Sequence, residues 1–153
     1  MINEEVKKYI GKSVLCWLAT SNKQNEPNVS PKEMFTYQDG QTLLIANIAS
    51  PKSVNNIVYN PNVCVSFIDV FIQKGFKLKG KARIISKEDP IFSEKVKHLT
   101  NLFSDKFPIN DIIEVSVKQV EQIIAPSYYL YAETTEEGQV ESAMRAYKVK
   151  PVG

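Results

Sequence analysis

One histidine, two cysteines, two arginines and one tryptophan are all that this 153-residue chain holds of those types. Each scarcity removes a class of function. His98 lies in Val96-Lys97-His98-Leu99, a helical pattern with no serine or cysteine nearby in an activating context, so triad chemistry is excluded. A single histidine cannot complete a zinc site, and the spacing of Cys16 and Cys64 matches no zinc pattern. Both cysteines sit in apolar, strand-like runs and read as reduced core thiols. Basic charge is almost entirely lysine, so bidentate arginine recognition of phosphates or bases is poorly supplied. No apolar run approaches the roughly 20 residues of a membrane span. Met1 to Val6 reads as the start of a helix without a signal-peptide pattern. The expectation is a cytoplasmic protein with no membrane and no nucleic-acid partner.

What remains is ordinary for a globular chain: 43% hydrophobic residues, 24% charged, and a net charge of +2. That length and composition fit a single domain, residues 1–153, able to bury a real core. Asn3 to Ile10 reads as a short helix, with Asn3 as cap and Gly11 as stop. Val14 to Thr20 is a strand, and Ser21 to Pro27 a polar turn. Asn28 to Tyr37 reads as a second strand, broken in the middle by Pro31. Gln38-Asp39-Gly40 turns the chain into a third, Thr42 to Asn47. A fourth strand runs from Val63 to Phe71. A fifth, Phe76 to Ser86, alternates apolar Phe76, Leu78, Gly80 and Ala82 with Lys77, Lys79, Lys81 and Arg83. Asp89-Pro90 opens a helix with an apolar stripe through Phe92, Val96, Leu99 and Phe103. Ile112 to Ile124 is a long sixth strand, and Tyr128 to Tyr131 is a candidate seventh. Thr134 with Glu137 has capping-box spacing and opens a last helix over about 134–147. Hairpin-linked antiparallel strands with helical covers predict a mainly β, α+β fold: a six-stranded antiparallel split barrel with flanking helices, a β-sandwich being the competitor.

The most informative stretch is Ser50-Pro51-Lys52-Ser53-Val54-Asn55-Asn56. Serine is a favoured helix cap, and proline in the first turn gives up no hydrogen bond. The helix start offers free N–H groups and the positive end of the dipole, with Lys52 and the Ser53 hydroxyl beside them. Those are the parts of a phosphate site. A hairpin meander would set Asn28 to Lys32 alongside Ala46 to Ile48, next to this helix start. Pro31 forfeits a ladder bond and belongs at an edge or bulge. A flat ring could lie along that irregularity, with Lys32 at its rim and a phosphate tail at the helix.

The motifs Asn28-Val29-Ser30-Pro31-Lys32, Leu44-Ile45-Ala46-Asn47, Ser50-Pro51-Lys52-Ser53-Val54-Asn55-Asn56-Ile57 and Asn60-Pro61-Asn62-Val63 follow one another in a familiar order. In this the chain resembles the FMN-binding split-barrel proteins of the pyridoxamine 5'-phosphate oxidase-like superfamily, over roughly residues 1 to 125. The resemblance implies FMN as cofactor, with Lys52, Ser53 and Asn56 on its phosphate. It implies Ser30, Pro31 and Lys32 against the isoalloxazine and ribityl chain, and Ala46 and Asn47 on the strand flanking the ring. It also implies a homodimer with the cofactor at the subunit interface. Pyridoxamine phosphate oxidases themselves carry an arginine where this chain has Pro27, and a C-terminal arginine/histidine pair. Here Ser142 to Tyr147 offers one arginine and no histidine, so the vitamin substrate is not expected.

Three readings follow. The first is an FMN-dependent oxidoreductase, exchanging electrons or hydride with a small-molecule or nicotinamide donor. The second is a flavin carrier or sensor without turnover, which the lack of an evident catalytic base favours. The third is a nucleic-acid-binding barrel using Lys74, Lys77, Lys79, Lys81, Arg83 and Lys87 with Phe71 and Phe76. Lysines alternating along a strand more commonly protect an edge.

Overall fold

A computed structural model describes residues 1–153. Asn3 caps the first helix, α1 (Glu4–Lys12), its side chain accepting from the Val6 N–H at 3.0 Å. Gly11 does not stop this helix. The last turn runs through Lys12, and Ser13 closes it by donating its N–H to Tyr9 O.

Seven strands follow: β1 (Cys16–Ser21), β2 (Pro27–Lys32), β3 (Phe35–Tyr37), β4 (Thr42–Asn47), β5 (Asn62–Asp69), β6 (Lys74–Ser86) and β7 (Asp111–Ile124). They form one antiparallel sheet in the order β2-β1-β5-β6-β7-β4-β3. The seventh strand arises because the segment expected as one strand, Asn28 to Tyr37, is cut at Glu33-Met34. Its halves lie on opposite edges of the sheet, β2 on β1 and β3 on β4. The expected side-by-side pairing of Asn28–Lys32 with Ala46–Ile48 is therefore not made; the hairpin partner of β4 is β3. Because consecutive strands occupy the two edges, the sheet has to curl until its edges approach. The result is a barrel split along one seam. Pro31 sits opposite Trp17 on the edge strand β2, where a missing N–H costs least.

Inside the curl, Leu18, Leu43, Ile45, Val65, Phe67, Leu78 and Val115 are all buried, one face of each strand at period two. Val6, Tyr9 and Ile10 of α1 close one end of this core. A smaller outer cluster joins Met34, Leu44, Ala46, Ile85 and Ile112 to Leu99. Leu99 belongs to α3 (Phe92–Thr100), which begins after Asp89-Pro90 rather than on it; Asp89 instead accepts from the Ile91 N–H. Between Lys79 and Gly80 the β6–β7 register slips, so that Lys118 is an extra residue of β7.

Helix α2 (Pro51–Tyr59) packs on β1 and β6. At the C-terminus, Tyr128 to Tyr131 is not a strand. Ser127–Leu130 forms a short helix, α4, held by the Tyr128 hydroxyl donating to Ile72 O at 2.7 Å. The last helix, α5 (Glu136–Tyr147), is capped by Thr135, one residue beyond the expected cap; Thr134 donates its hydroxyl to Ser127 O instead. No helix is long and apolar enough to cross a membrane.

Candidate functional site

The seam of the split barrel is where the expected residues meet. Lys32 ends β2 with its side chain turned inward, only 6% exposed, and its ammonium donates to the Ser50 hydroxyl. Burial lowers its pKa, and it pairs with no carboxylate. Cys16, opposite Lys32 in the β1–β2 ladder, is the one charged-capable neighbour that acts on it, and burial pushes that thiol up to about 12. A neutral thiol leaves the lysine without a counter-charge. An ammonium in that position is uncompensated, and an anion is the group that completes it.

Ser50 begins α2, as its position before Pro51 predicted, but its hydroxyl does not cap the helix. It is taken by Lys32. Asn47 holds the Ser50 main chain, accepting from its N–H at 3.0 Å, while the Asn47 amide donates to Asp111 at 3.3 Å. The Lys52 and Ser53 N–H groups, in the first turn, have no intrahelical acceptor. Ser53 is buried, its hydroxyl 3.2 Å from that of Ser30 on β2. Ala46 is buried on β4 and donates its N–H to Met34 O at 2.9 Å. A cavity of about 330 Å³ lies at this corner, lined by Pro31, Lys32, Met34, Ala46, Ser50 and Phe107 among others.

The eight expected residues thus divide. Ser30, Pro31, Lys32, Ala46, Asn47 and Ser53 converge on the seam and the helix start. Lys52 stands at the same start, exposed to solvent. Asn56 is buried one turn further on and donates to the Thr20 hydroxyl at 3.0 Å, which ties α2 to β1. Three contributors escaped the sequence reading. Thr20 had a signal, being an inward-facing polar residue in the Cys16, Leu18, Thr20 alternation. Met34 and Phe107 had none, because the first follows from the strand break and the second from a loop.

The arrangement can hold an anion with a hydroxyl pair, a buried ammonium and helix N–H groups, beside an apolar slot open to solvent. A sequence model of the family described as pyridoxamine 5'-phosphate oxidase matches residues 2–124. The chain belongs to the pyridoxamine 5'-phosphate oxidase family. No curated protein matches it by sequence. Among solved structures it is similar to HupZ of group A Streptococcus, at 21% identity and TM-score 0.68, covering 78% of this chain and 92% of that one. An FMN-binding protein of Syntrophomonas wolfei is 14% identical with TM-score 0.67, covering 80% and 86%. HutZ, the heme storage protein of Vibrio cholerae, is 20% identical with TM-score 0.61, covering 80% and 94%. At such identities, these TM-scores establish a shared fold alone. In this family member α4 and α5 lie beyond the matched residues.

Proposed function

We propose that this protein binds FMN at the barrel seam and acts as an FMN-dependent oxidoreductase whose substrate is not the pyridoxamine phosphate of its family's name. The observation that carries the reading is Lys32, a buried ammonium without a carboxylate, pinned to Ser50, the residue just before α2. An anionic tail there would gain that charge, the free N–H groups of Lys52 and Ser53, the Ser30–Ser53 hydroxyl pair and the Lys52 ammonium at the rim. The cavity beside it, with Pro31 and Met34 in its wall, suits a flat ring. A bound flavin supplies the electron and hydride chemistry, and the chain supplies orientation and charge. No histidine, cysteine or tyrosine lines this cavity, so haem would find Met34 as its one customary axial donor there and no proximal ligand of the usual kinds. The seam is open to one side, and Trp17 and Val29, exposed on the outer face of β1 and β2, favour a homodimer that covers it. An electron donor of small-molecule or nicotinamide type would approach from the remaining side.

The test is FMN titration by fluorescence quenching, run against riboflavin, which lacks the phosphate. Lys52→Ala should weaken FMN by about tenfold, one charge-assisted contact, and leave riboflavin unchanged. Equal affinity of the two flavins for the native protein would remove the phosphate site.

A further inference from the structure

A second cavity, of about 630 Å³, lies away from the seam cavity, along the free edge of β3. Its three walls are the end of α1, the strand edge from Phe35 to Gln38, and the end of α3 with the residues that follow it. The pairing of β3 fixes what that edge presents. Ala46 donates its N–H to Met34 O at 2.9 Å, and Gln38 donates to Thr42 O at 2.8 Å. Residues 34, 36 and 38 therefore make the ladder bonds to β4, and the main-chain groups of Phe35 and Tyr37 point the other way. They face the cavity. Tyr37 O receives only the Thr36 hydroxyl, at 3.5 Å, the outer limit of such a bond.

The side walls are aromatic and neutral-polar. The Tyr37 and Phe103 rings are half-buried, and His98 and Asn101 stand across from the strand. Lys7 reaches over the Tyr37 ring at 5.1 Å, but its charge is already met by Glu4 at 2.7 Å. A bare anion therefore finds no spare cation here. A lipid tail would leave the main-chain groups of Phe35 and Tyr37 unpaired. A planar ring with a donor and an acceptor on one edge satisfies both demands, because each outward residue of an extended strand offers an N–H and a C=O side by side.

We infer that this groove is a binding site for a nucleobase, read by the β3 main chain and stacked against Tyr37 and Phe103, with Asn101 and His98 on the opposite edge. The volume lies in the range of small-ligand sites. The groove shares no lining residue with the cavity at the α2 start, so both can be filled together.

The experiment is calorimetric titration of the full chain with adenosine and with uridine, in the absence and in the presence of saturating FMN. Gly11 provides the blocking variant. It lines the groove, and a Cβ placed there meets nothing within 4 Å. Gly11→Leu should therefore fold normally while its side chain fills the cavity. Expected are saturable binding of at least one nucleoside, indifference to FMN, and at least about tenfold weakening in Gly11→Leu and in Asn101→Leu. Failure of both nucleosides to bind, competition with FMN, or unchanged affinity in Gly11→Leu would overturn the assignment. FMN binding itself is read separately at the seam, so failure there leaves this result intact.

Discussion

Replacing Lys32 by methionine should strengthen the ligand-free protein while weakening its hold on FMN. Methionine keeps the unbranched stem and removes the ammonium. Lys32 is 6% exposed, lies against Cys16 and Ser50, and has a pKa lowered by burial. Removing an uncompensated buried charge gains about 2 kcal/mol in such settings. Against this, the Ser50 hydroxyl loses its donor, which costs about 1 kcal/mol. The net gain of about 1 kcal/mol corresponds to a rise in Tm of about 2–4 °C for a domain of this size. With FMN present the sign reverses. A charge-assisted bond to an anion is worth about 1.5–3 kcal/mol, so the dissociation constant should rise by about 10- to 100-fold. Differential scanning fluorimetry with and without FMN reads both effects on one sample. The stabilisation by FMN should shrink as the baseline Tm climbs. A variant that loses stability without ligand, or that binds FMN as the native protein does, would refute the argument.

Two further outcomes follow from the sheet. A Cβ at Gly80 would lie 2.1 Å from Ser116 O and 3.1 Å from Val117 Cα, so Gly80→Ala must push β7 away. It should cost about 3 kcal/mol in urea melts, and a loss under 1 kcal/mol would show that the bulge relaxes freely. Burial works against ionisation of Glu114, but the hydrogen bond from Arg83 and the ion pair with Lys95 outweigh it and hold the carboxyl below its ordinary 4.5. A lowered carboxylate pKa stabilises the fold above the unfolded value and loses that contribution as pH falls through the folded one. The stability gap between the native protein and Glu114→Gln should therefore be full near neutrality and close below pH 4.5; a gap constant to pH 3 would deny the linkage.

Most of this architecture is legible in the chain because period-two burial is strong. β4 falls on Thr42–Asn47 as expected, and β7 begins one residue early. The α2 start is equally plain, since Ser50-Pro51 has a local cause. A break in the Asn28–Tyr37 run is expected at Pro31, but its actual place, Glu33-Met34, and the parting of its halves to two edges are not legible, because closure of the barrel sets them. The same limit hid the Lys32–Ser50 contact, which joins residues on different elements. Lys52 looked like the principal cation from its position in a motif, whereas the buried one is Lys32. Tyr128 to Tyr131 carries strand-favouring aromatics, yet the Tyr128 anchor to Ile72 and the preceding Pro126 turn it into a helical loop.

Lys118, the supernumerary residue opposite Gly80, also governs how this sheet can change in length. Val117 faces in on one side of it and Val120 packs inward on the other, with Lys118 and Gln119 both outside. Deleting Lys118 would restore simple alternation and keep every later side chain on its present face, at the expense of a bend. A deletion in β7 ahead of the bulge would invert the facing of all that follows, putting Glu121 in the interior slot of Val120, and an insertion there would put Gln119 in it. The bulge is thus the one position in the longest strand where the gene can lose a codon without turning the barrel inside out.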